Sequence, residues 1–324
     1  MLRQTGPMLR LGTWNLENLF RPGEGSGAPT TPEAYDAKLD RLATTIDALG
    51  LDAVAVQEVG SPEALGDLRD RLTGRWRGET ADPDTRGIRC GALSRLPVVD
   101  VAQVRDFPEL VRPVQVDDVG TSLAQLGRPA LRVRLELPDP AGPVTHVDLV
   151  SVHLKSKLLS FPNGRFSPRD EGERARYAVY ALHRRAAEAA GVRDAATTLL
   201  AAPDAVPLLV AGDLNDEPTA ATTQILLGPP GSEIGTGGFD QPDRGDVQRL
   251  WNLAPLIPED ERYSRVYRGR RELIDHLLAS HALVTRVSTV GTGGPAPASV
   301  TDNPHARVDE PASDHRPVVV VLDV

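Results

Sequence analysis

Hydrophobic positions along this chain follow two alternating periods. Short apolar runs suited to buried strands recur from one end to the other, separated by segments whose apolar residues keep helical spacing. Residues 8–15 read as a strand that leads into a Gly/Pro-rich loop over 21–32. A helix is predicted across 33–49, where Leu39, Leu42, Ala43, Ile46 and Leu49 share one face and Gly50 stands where a C-terminal cap belongs. AVAVQE then forms a buried strand ending in two polar residues, and Ser61-Pro62 opens a short helix.

Between 86 and 152 the segments GIRCGALSR, VVDVAQVR, ALRVRLEL and VTHVDLVSVHL alternate as antiparallel strands with one covered face do. An alanine- and arginine-rich helix spans 170–200, and the buried strand PLLVAG runs straight into DLNDEP. Strands near 273–279, 284–290 and 316–323 close the chain. No fixed-period repeat or long low-complexity linker divides it, so an N-terminal tail (1–8) and a single domain (9–324) are expected. Two sets of strands, each with helices, imply an α/β fold of two sheets packed face to face with helices outside.

Composition narrows the function classes. The 324 residues are 40% hydrophobic and 25% charged, as in a globular protein. No apolar run reaches the roughly 18–20 residues of a membrane span. The first residues, MLRQTGPMLRLGTWNLENLF, hold no secretory h-region, which makes cytoplasm the default compartment, with secretion the alternative if a signal peptide has been removed. Cys90 is the only cysteine, which excludes an intramolecular disulfide and a thiolate metal cluster, and its strand-like flanks mark it as core. A net charge of −9 argues against coating nucleic acid through bulk electrostatics, but not against gripping a few phosphates locally.

Candidate chemistry sits where apolar strands terminate. LGTWNLE, AVAVQE, LVSVHLK, LLVAGDLND, LIDHLL and PASDHRPVVVV each carry Asp, Glu, Asn or His beside an apolar run. Strand ends of one sheet share an edge, so these groups can meet in a single cleft. Acids gathered there need cations or protons to neutralise them. Basic residues lie nearby: Lys155 and Lys157 follow His153, and Arg262, Arg265, Arg268, Arg270 and Arg271 interleave with Tyr263 and Tyr267. Such a stretch suits a groove along a phosphate backbone, or equally a solvated charged loop. Arg165, Arg169, Arg174 and Arg176 read as surface, and Trp14 as core support.

The ordered set WNLEN, QE, HLKSK, GDLNDEP, IDHLLAS and SDHRPV, spread over residues 9–322, resembles the endonuclease/exonuclease/phosphatase superfamily, and its deoxyribonuclease-like bacterial members in particular. That resemblance implies a four-layer α/β/β/α sandwich of mostly antiparallel sheets with the active site at one edge. It implies that Glu58 is the principal ligand of Mg²⁺ or Mn²⁺, with Ca²⁺ as a supporting ion, that Asn15 lies beside the metal or holds the phosphate, and that Glu17 and Asp314 supply further metal-site carboxylates. Asp213 and Asn215 match the pair that orients the attacking water and the phosphate. Asp275 and His315 match a buried acid–imidazole pair, and His153 a histidine placed against the phosphate. Lys155, Arg268 and Arg271 are the expected phosphate contacts. The implied activity is metal-assisted hydrolysis of a phosphodiester, with DNA or RNA as the expected partner and a small or lipid head-group phosphoester as the alternative. A monomer is expected.

Overall fold

The computed structural model describes residues 8–138, 144–301, 303 and 306–324. Residues 1–7, most of the expected tail, lie outside that set, and Met8 already belongs to the first strand. In chain order the first elements are β1 (Met8–Leu19), α1 (Pro32–Leu49), β2 (Ala53–Val59), α2 (Pro62–Arg71), β3 (Arg77–Thr80), β4 (Arg89–Ser94) and β5 (Val98–Asp106). A small hairpin of β6 (Val114–Gln115) and β7 (Ser122–Leu123) precedes β8 (Gln125–Glu136), β9 (His146–His153), α3 (Glu171–Ala201), β10 (Leu208–Asp213) and α4 (Ala221–Gln224). Then come β11 (Leu250–Asn252), the hairpin β12 (Arg265–Tyr267) and β13 (Arg270–Glu272), β14 (Asp275–Ser280), α5 (His281–Val284), β15 (Val287–Thr292) and β16 (Val318–Asp323).

Local chemistry explains the helix boundaries. Thr31 caps α1 by accepting from the Ala34 amide at 3.1 Å, Pro32 fills the first turn, and Gly50 at φ 59° closes the last. Ser61 and Asp170 cap α2 and α3 in the same way. The strand expected near 284–290 begins only at Val287. Leu283 and Val284 are neighbours and both buried, which the short helix α5 accommodates and a half-covered strand does not.

Two six-stranded sheets form, in the orders β15-β16-β1-β2-β4-β3 and β11-β14-β10-β9-β8-β5. The pairs β1–β2 and β9–β10 run parallel, and the remaining neighbours are antiparallel. Period-two alternation then sorts the side chains into layers. Leu11, Ala55, Val133, Leu149, Ala211 and Leu277 meet between the sheets. On the outside of the first sheet Val54, Val56 and Leu93 pack against Leu39, Leu42 and Ile46 of α1 and Leu65 of α2. On the outside of the second, Val150, Val152 and Val210 pack against Ala187, Val192 and Ala196 of α3. The result is the four-layer α/β/β/α sandwich.

Gly212 shows how tightly the centre is built. A Cβ there would drive into the carbonyl oxygen of Val152 on the paired strand β9. Gly212→Ala should therefore push β9 and β10 apart and destabilise the protein by roughly 1–3 kcal/mol. Urea denaturation measures this, and a variant as stable as wild type would show that the two strands are not held this closely.

Candidate active site

Three neighbouring strands deliver the centre of the site. Asp213, the last residue of β10, lies opposite His153 of β9 on one side and Asp275 of β14 on the other. From the facing sheet, β1 and β2 bring Asn15 opposite Gln57, with Glu58 next in line. The Asn15 amide joins the two sheets: its Nδ2 donates to Asp213 Oδ2 at 3.0 Å and to Glu58 Oε1 at 3.3 Å. Beneath it runs a second polar link, in which Gln57 Nε2 donates to Ser151 Oγ at 3.1 Å and Ser151 Oγ donates to the Val56 carbonyl at 3.1 Å.

Strain collects at this edge. Glu17, Asn18, Glu58 and Asn215 all adopt left-handed backbone, with φ of 51°, 55°, 61° and 54°. For a glutamate this costs about 1–2 kcal/mol, and such residues persist only where their surroundings fix them. The fixing contacts are visible. The Asn18 amide donates to Glu58 Oε2 at 2.9 Å, the Glu17 amide to Asn15 Oδ1 at 2.9 Å, and the Asn215 amide to Asp213 Oδ1 at 2.8 Å. Asn215 Nδ2 donates to the Leu154 carbonyl at 3.0 Å.

Asp275 and His315 are both buried, with Asp275 Oδ2 2.6 Å from His315 Nδ1. The backbone of His315 is held by Trp14, whose Nε1 donates to the His315 carbonyl at 2.9 Å, and by Ser313 Oγ, which accepts from the His315 amide at 3.0 Å. Trp14 is thus the core support its sequence context implied. Burial alone would lower the imidazole's pKa, but the charges of Asp275 and Asp314 and the hydrogen bond to Asp275 push it up to about 10. Burial, with the nearby Asp275 charge, pushes the Asp213 carboxyl up to about 7. Burial, then Arg128 and the charge of His315, hold His153 well below 6.5, so this ring is neutral. Its Nε2 stands 3.6 Å from Asp213 Oδ2.

Glu17 and Asp314 form a neighbouring layer. Glu17 pairs with Arg307 through contacts of 2.7 and 3.1 Å and accepts the Asp314 amide at 2.8 Å, so both its oxygens are engaged. Asp314 Oδ1 is 3.8 Å from His315 Nε2, and its Oδ2 is 3.5 Å from Arg265 Nε. Lys38, buried in α1, senses Glu17, Asp314 and Glu58, which partly offset the lowering of its pKa by burial. Sequence reasoning missed Lys38, Arg307 and Arg128. For Lys38 the signal was a lysine on the stripe Tyr35, Lys38, Leu39, Leu42, which is otherwise apolar.

The expected phosphate contacts are engaged with neighbouring backbone and rings. Lys155 Nζ donates to the carbonyls of Ser156 and Leu158 at 2.9 and 2.7 Å. Arg271 stacks over Tyr263 at 4.4 Å and donates to the Asp260 carbonyl, while Arg268 at the β12–β13 turn lies 5.7 Å from the Tyr267 ring. The hairpin itself adjoins the centre, because Arg265 pairs across to His315. Of the second basic stretch, Arg165, Arg174 and Arg176 pair with Glu173, Glu171 and Asp118. Cys90 is buried and its thiol is pushed up to about 12, which leaves it inert.

A divalent cation fits this edge. The ligand atoms of Asp213, Asp275 and His315 lie within 4.8 Å of one another, and buried Asp275 Oδ1 has no hydrogen-bond partner among the described residues. Glu58 Oε1 adjoins the same group through the shared Asn15 Nδ2, so the donors are hard carboxylate oxygens with one imidazole and no thiolate.

Paired sheets with helices outside, and an edge where carboxylates, amides and a buried acid–imidazole pair converge, define a hydrolase architecture. The chain belongs to the endonuclease/exonuclease/phosphatase family, whose model matches residues 12–315 and whose members are phosphoester hydrolases. None of the curated protein sequences matches it. Among solved structures it is similar to an endonuclease/exonuclease/phosphatase from Beutenbergia cavernae, with 18% identity, TM-score 0.56, and coverage of 98% of this chain and 72% of that one. It is also similar to a mannosyl-6-phosphatase of Bacteroides thetaiotaomicron, at 14% identity, TM-score 0.56, and 96% and 98% coverage. The catalytic domain of human nocturnin with a bound sulfate anion gives 16%, 0.53, and 98% and 94%. At these identities the likeness establishes the fold.

The raised Asp213 pKa has a thermodynamic consequence. Its folded value of about 7 exceeds the ordinary 3.8, so stability present at low pH is lost as pH rises through about 7. With chelator present, wild type should therefore lose more Tm than Asp213→Asn between about pH 5 and about pH 8. Millimolar Mg²⁺ or Mn²⁺ should restore more Tm at the higher pH, since an ion competes with the proton. Parallel Tm–pH curves for the two proteins would mean that Asp213 ionises normally.

Proposed function

We propose that the chain is a divalent-metal-dependent phosphodiesterase with DNA as its preferred substrate. What carries this reading is the convergence of Asn15, Asp213, His153, Asp275 and His315 from both sheets onto one edge. A phosphodiester resists hydrolysis because its anionic oxygens repel a nucleophile and its alkoxide leaves poorly, and each residue answers one of these difficulties. A metal held by Glu58, with Asn15 and Asp213 alongside, would neutralise charge on the phosphate and on the leaving alkoxide.

Asp213 orients water and takes its proton, a role suited to a carboxyl whose pKa lies near neutrality. Asn215, its amide tied to Asp213 and its side chain to the Leu154 carbonyl just past β9, keeps that carboxylate from rotating. His315, kept cationic by Asp275, stabilises the negative charge that develops on the phosphoryl oxygens. Neutral His153 donates to a nonbridging oxygen. The arginine- and tyrosine-bearing hairpin beside His315 supports a polynucleotide running along the site.

A second reading, hydrolysis of a small phosphoester, is favoured by the net charge of −9 and by the likeness to a sugar phosphatase. Incubation of supercoiled plasmid with Mg²⁺ or Mn²⁺ separates the two. Nicking is expected, chelator should abolish it, and Asp213→Ala should slow it at least about 100-fold. Intact plasmid together with phosphate release from sugar or inositol phosphates would select the second reading.

A further inference from the structure

On the His153 side of the site lies a cavity of about 630 Å³ whose wall is basic. Arg86 reaches it from the turn before β4, Arg112 from the loop before β6, Arg128 from β8, Lys155 from the segment after β9 and Arg184 from α3. Nearby acids leave this charge only partly answered. Asp84 accepts from Arg128 Nη1 at 3.2 Å and from the amides of Arg86 and Ile88. Asp106 stands 4.0 Å from Arg112. Buried Glu188 accepts from Arg184 Nε at 3.0 Å and from the amides of Gly127 and Lys155.

Two cations are left without a carboxylate. The Arg86 guanidinium has no ion-pair partner among the described residues, and the Lys155 ammonium donates only to neutral oxygens of Ser156 and Leu158. Burial, followed by the crowding of Arg184 and Arg128, lowers the Lys155 pKa to about 8, a repulsion that an anion in the cavity would relieve. Gly127 belongs to the same design, because a side chain there would collide with the Arg184 guanidinium lying on its backbone. In a chain with a net charge of −9, this excess of positive charge is local and concave.

We propose that the cavity is a second anion subsite, which receives a non-reacting phosphate carried on the same substrate molecule as the phosphoester at Asp213. The inference rests on the phosphoesterase reading above and adds a requirement for a second phosphate. Geometry couples the subsite to the reaction. Arg128 Nε and Nη2 donate to the carbonyls of His153 and Leu154 at 3.1 and 2.9 Å, and Lys155 follows two residues after His153. A phosphate seated there holds the substrate by the same short stretch of chain that presents His153, so remote binding energy is available to position the scissile bond. The second phosphate comes either from the neighbouring linkage of a polynucleotide or from a soluble bisphosphate.

The test uses Arg86→Gln/Arg112→Gln, two exposed substitutions outside the catalytic group. Calorimetric titration of the metal-free protein with inorganic pyrophosphate at low salt needs no turnover, so it succeeds or fails independently of the phosphoesterase reading. The double variant should bind pyrophosphate about tenfold more weakly than wild type. Unchanged affinity, or no pyrophosphate binding by wild type, overturns the subsite. In the kinetic arm, bis(4-nitrophenyl) phosphate, which lacks a second anion, is compared with a short DNA oligonucleotide and a hexose bisphosphate. The variant should raise KM about tenfold for at least one phosphate-rich substrate and leave the nitrophenyl ester unchanged, and the substrate affected identifies the source. Equal effects on all three, or on none, overturn its part in the reaction. Absence of any turnover refutes the phosphoesterase reading alone, and the titration then decides the subsite.

Discussion

Carboxylates buried close together repel one another, and the arrangement of the sheet edge follows from that repulsion. Asp213 is met by the Asn15 amide and the Asn215 backbone, Asp275 by His315, and Glu17 by Arg307. These partners come from both sheets and from chain segments some three hundred residues apart in sequence, as the Trp14 contact to His315 illustrates. Satisfying the acids therefore also aligns the two sheets. The Asn15 amide makes this explicit, since one nitrogen serves a carboxylate on each side of the interface.

Fold and rim contribute differently to function. The strand ends set the positions of Asp213, His153 and Asp275 through backbone register, which leaves little freedom to vary them. Around them stand the β6–β7 hairpin, the β12–β13 hairpin and the segment after β9, all of which are loops or short ribbons. Substrate choice belongs to such elements, which is why an architecture shared with a sugar phosphatase and with nocturnin supplies a common frame and leaves the substrate open.

Much of the architecture was legible in the sequence because it is written in short range. Period two marked the strands, and Thr31-Pro32 with Gly50 marked the ends of α1. Polar residues closing apolar runs marked Asn15, Glu58, Asp213 and Asp275, and the structure gathers these at one edge. What escaped was set by distance. Nothing local to Arg307 announces its pairing with Glu17. The helical stripe that buries Lys38 shows its depth but not the acids across from it. Arg268 and Arg271 belong to the run of arginines with tyrosines, and their guanidiniums stand over the rings of Tyr267 and Tyr263, a pairing that spacing along the chain does not announce.

β1 carries Asn15 into the site and pairs on one side with β16, which follows His315 closely, and on the other with β2, which carries Glu58. Asn15 and Glu58 are thus carried by the centre of the first sheet, as Asp213, His153 and Asp275 are carried by the second. Displacing these five means dismantling the middle of the sandwich. Heating that parts these strands should therefore scatter the acids and melt the sandwich together.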